Sequence, residues 1–227
     1  MAVGCRAVKN EYSFYDGVMP RVTAEHRATR REQILQAAFR CVARSGFQGM
    51  TMADVIGESG LSAGAVYGYF RGKRELLLAI ADRAIGSIDE VFHGLLGDGA
   101  APHPADVLRA ALEALMAVGD DDVDLTVVTV QAWAEAVRGG EVRELLRPRV
   151  ARLREQWAEV MRRHQAAGHL AADADPEEAA QAMVGLVPGF ILQRLMLGDL
   201  TVESFTRGVR QLLDAPRREA VPTPPGA

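Results

Sequence analysis

Apolar residues recur at helical spacing along most of the chain. Ile34, Leu35, Ala38, Phe39, Val42 and Ala43 share one face of a helix predicted from Thr23, its cap, to about residue 45. Gly46 should stop it as a left-handed residue. Thr51 and Asp54 have capping-box spacing and Met50 can staple to Val55, which predicts a short helix over about 52–58. Gly60 breaks that helix, and Ser62 can cap a third one over about 63–69. Leu76, Leu77, Ile80, Ala84, Ile88 and Phe92 form the stripe of a long helix over about 73–96. After a glycine-rich linker at 97–103, five more helices are predicted at about 104–118, 122–138, 141–167, 176–198 and 201–214. Gly139-Gly140, Gly168 and Gly198-Asp199 punctuate them. Asp175-Pro176-Glu177-Glu178 is a helix start, with proline at the first helical position and acids in the first turn. No segment alternates as a strand would. The fold class is therefore all-α, with about nine helices.

Residues 1–20 carry no period, and residues 215–227 are rich in proline, so both are expected to be disordered. Met19-Pro20-Arg21 reads like a second start, so residues 1–18 are expected to be an over-long gene start or a flexible tail. The periodic part divides into residues 21–88 and 89–214.

Charge separates these two parts. Residues 21–83 hold ten Lys and Arg against six Asp and Glu, a net of +4; residues 84–227 hold 14 against 22, a net of −8. A basic front on a chain of net charge −4 points to an anionic partner there. Cys5 and Cys41 form no CxxC pair, and Cys41 falls in the apolar stripe of the first helix. The longest nearly apolar run, 182–192, is too short to span a membrane, and residues 1–20 have no signal-peptide core. A cytoplasmic location without membrane contact is expected.

Two short helices joined by a turn containing Gly60 form a helix-turn-helix pattern, whose second helix enters the DNA major groove. Small Ala63, Gly64 and Ala65 let the backbone approach DNA closely. Ser62 offers a hydroxyl, and Val66 and Phe70 turn inward. Tyr67 and Tyr69 can present hydroxyls to phosphates, or else plug a small core. Lys73 starts the next helix, where free N–H groups also favour a phosphate, and Thr51 does the same for the second helix beside its cap role. Residues 61–70 contain no Arg, Asn, Gln or Lys, so bidentate base readout is absent from this helix. Sequence reading is left to Ser62, to the methyls of Ala63 or Ala65, to Arg21 in the preceding arm, or to DNA shape.

Residues 51–80, TMADVIGESGLSAGAVYGYFRGKRELLLAI, resemble the DNA-binding segment of the TetR family of transcriptional regulators. The resemblance rests on Thr51, Gly60-Leu61-Ser62, residues 63–67 ending in Tyr67, Tyr69-Phe70, and Lys73-Arg74-Glu75-Leu76. It covers about residues 28–88. Gly68 and Gly72 depart from the pattern, where polar residues are more common. The resemblance implies that residues 21–88 are the DNA-binding domain, with its motif at 51–70, and that 89–214 bind a ligand and dimerise.

The residues support part of that independently. Helix 176–198 is apolar nearly all round and must be buried on more than one face. Met183, Val187, Ile191 and Leu195, with Val202, Phe205, Val209 and Leu212 of the last helix, are expected to form a dimer seam; closing a monomeric core is the other reading. Pro188-Gly189 is expected to kink helix 176–198. Met116, Gln131, Trp133, Trp157, Met161, His164 and Phe190 are candidates for a pocket, with Gln131 and His164 as its polar groups, although each also reads as ordinary core. The acidic run at 120–124 reads as a helix start rather than a metal site, and the five histidines lack ligand spacing, so neither metal nor cofactor is expected. No nucleophile–base pair or phosphate loop points to an enzyme. The expected function is a homodimeric repressor that binds a pseudo-palindromic operator and is released by a small, largely apolar molecule. The alternative is a ligand-independent DNA-binding protein whose C-terminal half only dimerises.

Overall fold

The computed structural model describes residues 24–97, 99–118 and 125–214. Among the described residues the chain forms nine helices and no strand: α1 (Ala24–Gly49), α2 (Met52–Ser59), α3 (Ala63–Tyr69), α4 (Lys73–Leu96), α5 (Pro104–Met116), α6 (Leu125–Arg138), α7 (Gly140–Ala166), α8 (Pro176–Leu197) and α9 (Val202–Leu213). Arg21, Thr23, the acidic run at 120–124 and both terminal segments lie outside the described residues.

Local chemistry sets most of these ends. Gly46 sits at φ 71°, ψ 172°, so the helical path of α1 breaks there before one further turn. That break swings Phe47 inward, where it is buried. Thr51 and Asp54 close a reciprocal box on α2: the Thr51 hydroxyl accepts from the Asp54 N–H at 3.2 Å, and the Asp54 carboxylate accepts from the Thr51 N–H at 2.9 Å. The Thr51 hydroxyl also donates to the Asp54 carboxylate at 2.6 Å, and that bond, with the one from the Thr51 N–H, holds Asp54 below the usual carboxylate pKa. Gly60, at φ 67°, ends α2 in the left-handed region that disfavours other residues. Ser62 caps α3, accepting from the Ala65 N–H at 3.2 Å.

Two cores result. In the front, Ile34, Phe39, Val55, Val66, Phe70 and Leu76 are closed to solvent, and Arg31 lies over the Phe70 ring at 5.1 Å. In the back, Trp157 of α7 meets Phe92 of α4 edge to face at 5.2 Å, among Leu108, Leu112, Met161 and Phe190. Here α7 lies along α8, and α5 packs between α4 and α9. Because α4 begins under α3 and ends beside Trp157, it belongs to both halves.

α8 runs as one helix from Pro176 to Leu197, with Pro188 inside it. By length and composition α8 is apolar enough to cross a membrane. The uninterrupted apolar run is shorter, and one stripe of the helix (Ala180, Met183, Val187, Phe190, Ile191) is packed into the protein interior.

Candidate nucleic-acid interface and ligand cavity

The α3 surface is built by local rules. Its cap puts Ser62 at the leading end, and Ser62, Ala63 and Gly64 are exposed there. Ala65 is half-buried, whereas Val66 and Phe70 anchor the opposite face in the core. A Cβ placed on Gly64 or Gly68 would meet nothing within 4 Å, and neither glycine has positive φ. Neither packing nor backbone conformation inside the chain therefore demands glycine at these positions.

The two tyrosines have separate fates. Tyr67 is 49% exposed, with its ring and hydroxyl on the surface. Tyr69 is half-buried and packs against the core, which favours the core-plug reading for it. Two residues apart on a helix means about 200° of rotation, so both cannot point outward.

The start of α4 is more occupied than the sequence implied. The Lys73 ammonium donates to the Gln48 carbonyl at 3.0 Å, tying α4 to the end of α1 and using one of its three donors. No side chain caps α4 at Gly72; instead the Glu75 carboxylate accepts from the Arg71 N–H at 2.7 Å. Part of the basic excess is also spent internally. Arg40 and Arg44 pair with Glu58 at 2.8 and 3.2 Å and hold it below the usual carboxylate pKa. Arg27, Arg31 and Arg71 have no carboxylate partner among the described residues, and sequence reading had not singled them out.

A cavity of about 560 Å³ lies between the two halves. Its wall takes Phe47 from α1, Leu77, Ile80 and Ile85 from α4, Val128, Thr129, Ala132 and Trp133 from α6, Val142, Arg143 and Leu146 from α7, and Val187 and Pro188 from α8. Of the seven residues expected to line a pocket, only Trp133 does so. Gln131 faces the other way, donating to the Ala43 carbonyl of α1 at 3.2 Å. Trp157 and Met161 are sealed in the back core, Phe190 packs on Phe205 at 5.3 Å, and Met116 packs against the core. His164 lies elsewhere, its ring 5.2 Å from both His103 and His169.

That histidine trio was not visible in the spacing, because His103 comes from the linker before α5. Its Nδ1 accepts from the Ala105 N–H at 3.1 Å and its Nε2 lies 3.1 Å from Asp214. His164 is buried, and its Nδ1 has no partner. Burial, then the nearby His103 and His169, push its pKa below the usual histidine value against the opposing pull of Asp214. No group placed to hold a metal ion exists among the described residues.

The expected dimer seam is also redistributed. Met183, Val187, Ile191 and Val209 are buried inside the chain, and Val202 and Phe205 are half-buried. Leu195 and Leu212 are exposed, joined by Leu192, Met196 and Leu197. A helix apolar on every face does not declare which stripe its own chain will cover.

Two matches to known families cover most of the chain. Residues 34–80 match the bacterial regulatory proteins of the tetR family, and residues 104–216 match the C-terminal domain of BetI-type transcriptional repressors. The HTH-type transcriptional repressor Rv1474c of Mycobacterium tuberculosis is 29% identical over 187 residues, spanning 80% of this chain and 90% of that protein. Among solved structures, Salmonella enterica GusR superposes with a TM-score of 0.69 at 24% identity, covering 85% of this chain and 96% of that one. AibR in complex with isovaleryl coenzyme A and operator DNA superposes at 0.62 and 23% identity, covering 83% and 100%. These two structures share the fold.

Proposed function

The chain belongs to the TetR family of bacterial transcriptional regulators, with a BetI-type C-terminal domain, and from that premise we propose that it is an effector-released repressor acting in the cytoplasm as a homodimer. α3 enters the major groove with Ser62, Ala63 and Gly64 foremost. Thr51, Tyr67 and the free donors of Lys73 contact phosphates, and Tyr69 supports α3 from behind. Arg21 reaches DNA from the arm before α1.

Dimerisation supplies the second recognition helix, and operator symmetry mirrors protein symmetry. The exposed Leu192, Leu195, Met196 and Leu197 at the end of α8, and the exposed Leu212 on α9, are the apolar side chains that a second copy would cover. A monomer gains nothing from displaying such a patch.

The observation that carries the regulatory part is the shared wall of the cavity. Phe47 belongs to the DNA-binding domain yet lines the cavity, and α6 holds the cavity with Trp133 while gripping α1 with Gln131. An effector that fills this space favours one placement of α6 against α1 and α4 over another. It thereby shifts the spacing of the two recognition helices, with differential affinity as the whole driving force.

The test has three parts. DNA bound by the purified protein is selected from genomic fragments, and the enriched sequence should be an inverted repeat. Sedimentation should give a dimer. A thermal-shift screen of apolar compounds should yield ligands that also release the DNA. Ligands that bind without releasing DNA, or no ligand at all, would favour the ligand-independent alternative.

A further inference from the structure

Resting on the reading of the cavity as the effector site, we propose that its effector is an amphiphile with an anionic head group, of the carboxylate type, on an apolar tail. Among the described residues lining the cavity, the only charged side chain is Arg143, and the only others with a hydrogen-bonding group are Thr129 and Trp133, through its indole N–H. The Thr129 hydroxyl is already committed, donating to the Leu125 carbonyl at 2.8 Å. The remaining wall is aliphatic or aromatic, so an effector must be apolar over most of its length.

Arg143 stands in the first turns of α7, at the mouth, and it is anchored. Its Nε donates to the Ala136 carbonyl at 2.8 Å and its Nη2 to the Val137 carbonyl at 2.6 Å. Those two bonds fix the guanidinium plane against the end of α6 and leave three of its five N–H groups for other acceptors. Arg149, Arg152, Arg162 and Arg163 on the same helix each face a carboxylate. Arg143, like Arg147 and Arg154, has no such partner among the described residues, but of these three it alone lines the cavity. Of the acidic residues near it in sequence, Glu141 is engaged with Arg74 at 2.9 Å and Glu135 with Arg138 and Gln48, while the adjacent Glu144 is exposed and makes no ion pair with Arg143.

A guanidinium remains cationic at any working pH. It therefore meets an anionic head with a charge-assisted, orienting pair, while a cationic head meets a like charge and no carboxylate among the described residues lining the cavity. The head then sits by Arg143 at the α6–α7 junction, and the tail runs inward along Leu77, Ile80, Trp133 and Val187.

Three probes with one ten-carbon tail separate the possibilities in the full chain: decanoate, decan-1-ol and decyltrimethylammonium, each titrated calorimetrically below its micelle concentration. Decanoate should bind on the order of ten-fold more tightly than the ammonium, with the alcohol between them. Arg143→Met should lower decanoate affinity by a similar factor while leaving the alcohol unchanged, which also shows that the variant is folded. Arg143→Lys should recover part of the loss. An ammonium that binds as well as decanoate would overturn the head-group assignment and turn attention to the carboxylates at 120–124 that precede Leu125 in sequence. Decanoate affinity unmoved by Arg143→Met would overturn the role of Arg143. Binding of none of the three would overturn the cavity as an effector site.

Discussion

The α3 surface and the cavity are opposite solutions to binding. The first is a convex ridge of small residues flanked by an exposed tyrosine, each held by a partner within four residues of it. The second is a void bounded by six helices, with residues as far apart in sequence as Phe47 and Pro188 in one wall. A ridge built locally can be altered without touching the core. A void cannot, because its wall is also the packing between the two halves.

The sharpest way to break that contrast is to remove the anchor beneath the ridge. Phe70→Ala should cost about 3–5 kcal/mol in urea unfolding, because the ring is 1% exposed and the space cannot collapse. A loss below about 1 kcal/mol would mean that α3 does not depend on the core behind it. Next comes the cap. Ser62→Ala should cost about 1 kcal/mol and weaken DNA binding as α3 frays. Unchanged stability in that variant would deny the local origin of the ridge.

Gly64→Ala sharpens the comparison further by splitting stability from function. With no packing or positive φ against it, the change should raise stability by about 0.5–1 kcal/mol while lowering DNA affinity in a titration. Equal or better DNA affinity would show that no close approach occurs there. The smallest effect is expected in the back half, as a pH dependence. His164 has a folded-state pKa below its ordinary 6.5, so the unfolded chain binds a proton more readily. Its contribution to stability is full above pH 6.5 and is lost as pH falls below that value. His164→Asn should flatten this acid limb of the stability curve, and an identical limb in the variant would locate the titration elsewhere.

The same division explains what the sequence disclosed. Helix ends and the helix-turn-helix were legible because Gly46, Gly60, Thr51 and Ser62 act through bonds within a few residues. The family resemblance followed from that local pattern. The cavity was not legible, because its lining depends on how each helix is rotated against its neighbours. Gln131 and Trp133 were both candidates, yet α6 turns one to Ala43 and the other to the cavity. Met183, Val187 and Ile191 read equally well as seam or core, and only the packing of α7 on α8 decided for core. Phe47 had one local signal, an aromatic placed directly after a helix-stopping glycine.

That placement of Phe47 bears on how such regulators can be recombined. Because the residue after Gly46 projects from the front half into the cavity, the seam between the modules does not lie at the linker near residue 97 or at the start of α4. A chimera that grafts this C-terminal domain onto another DNA-binding head brings a foreign side chain into the cavity wall. The cavity would transfer intact only if the segment around residues 46–48 travelled with it.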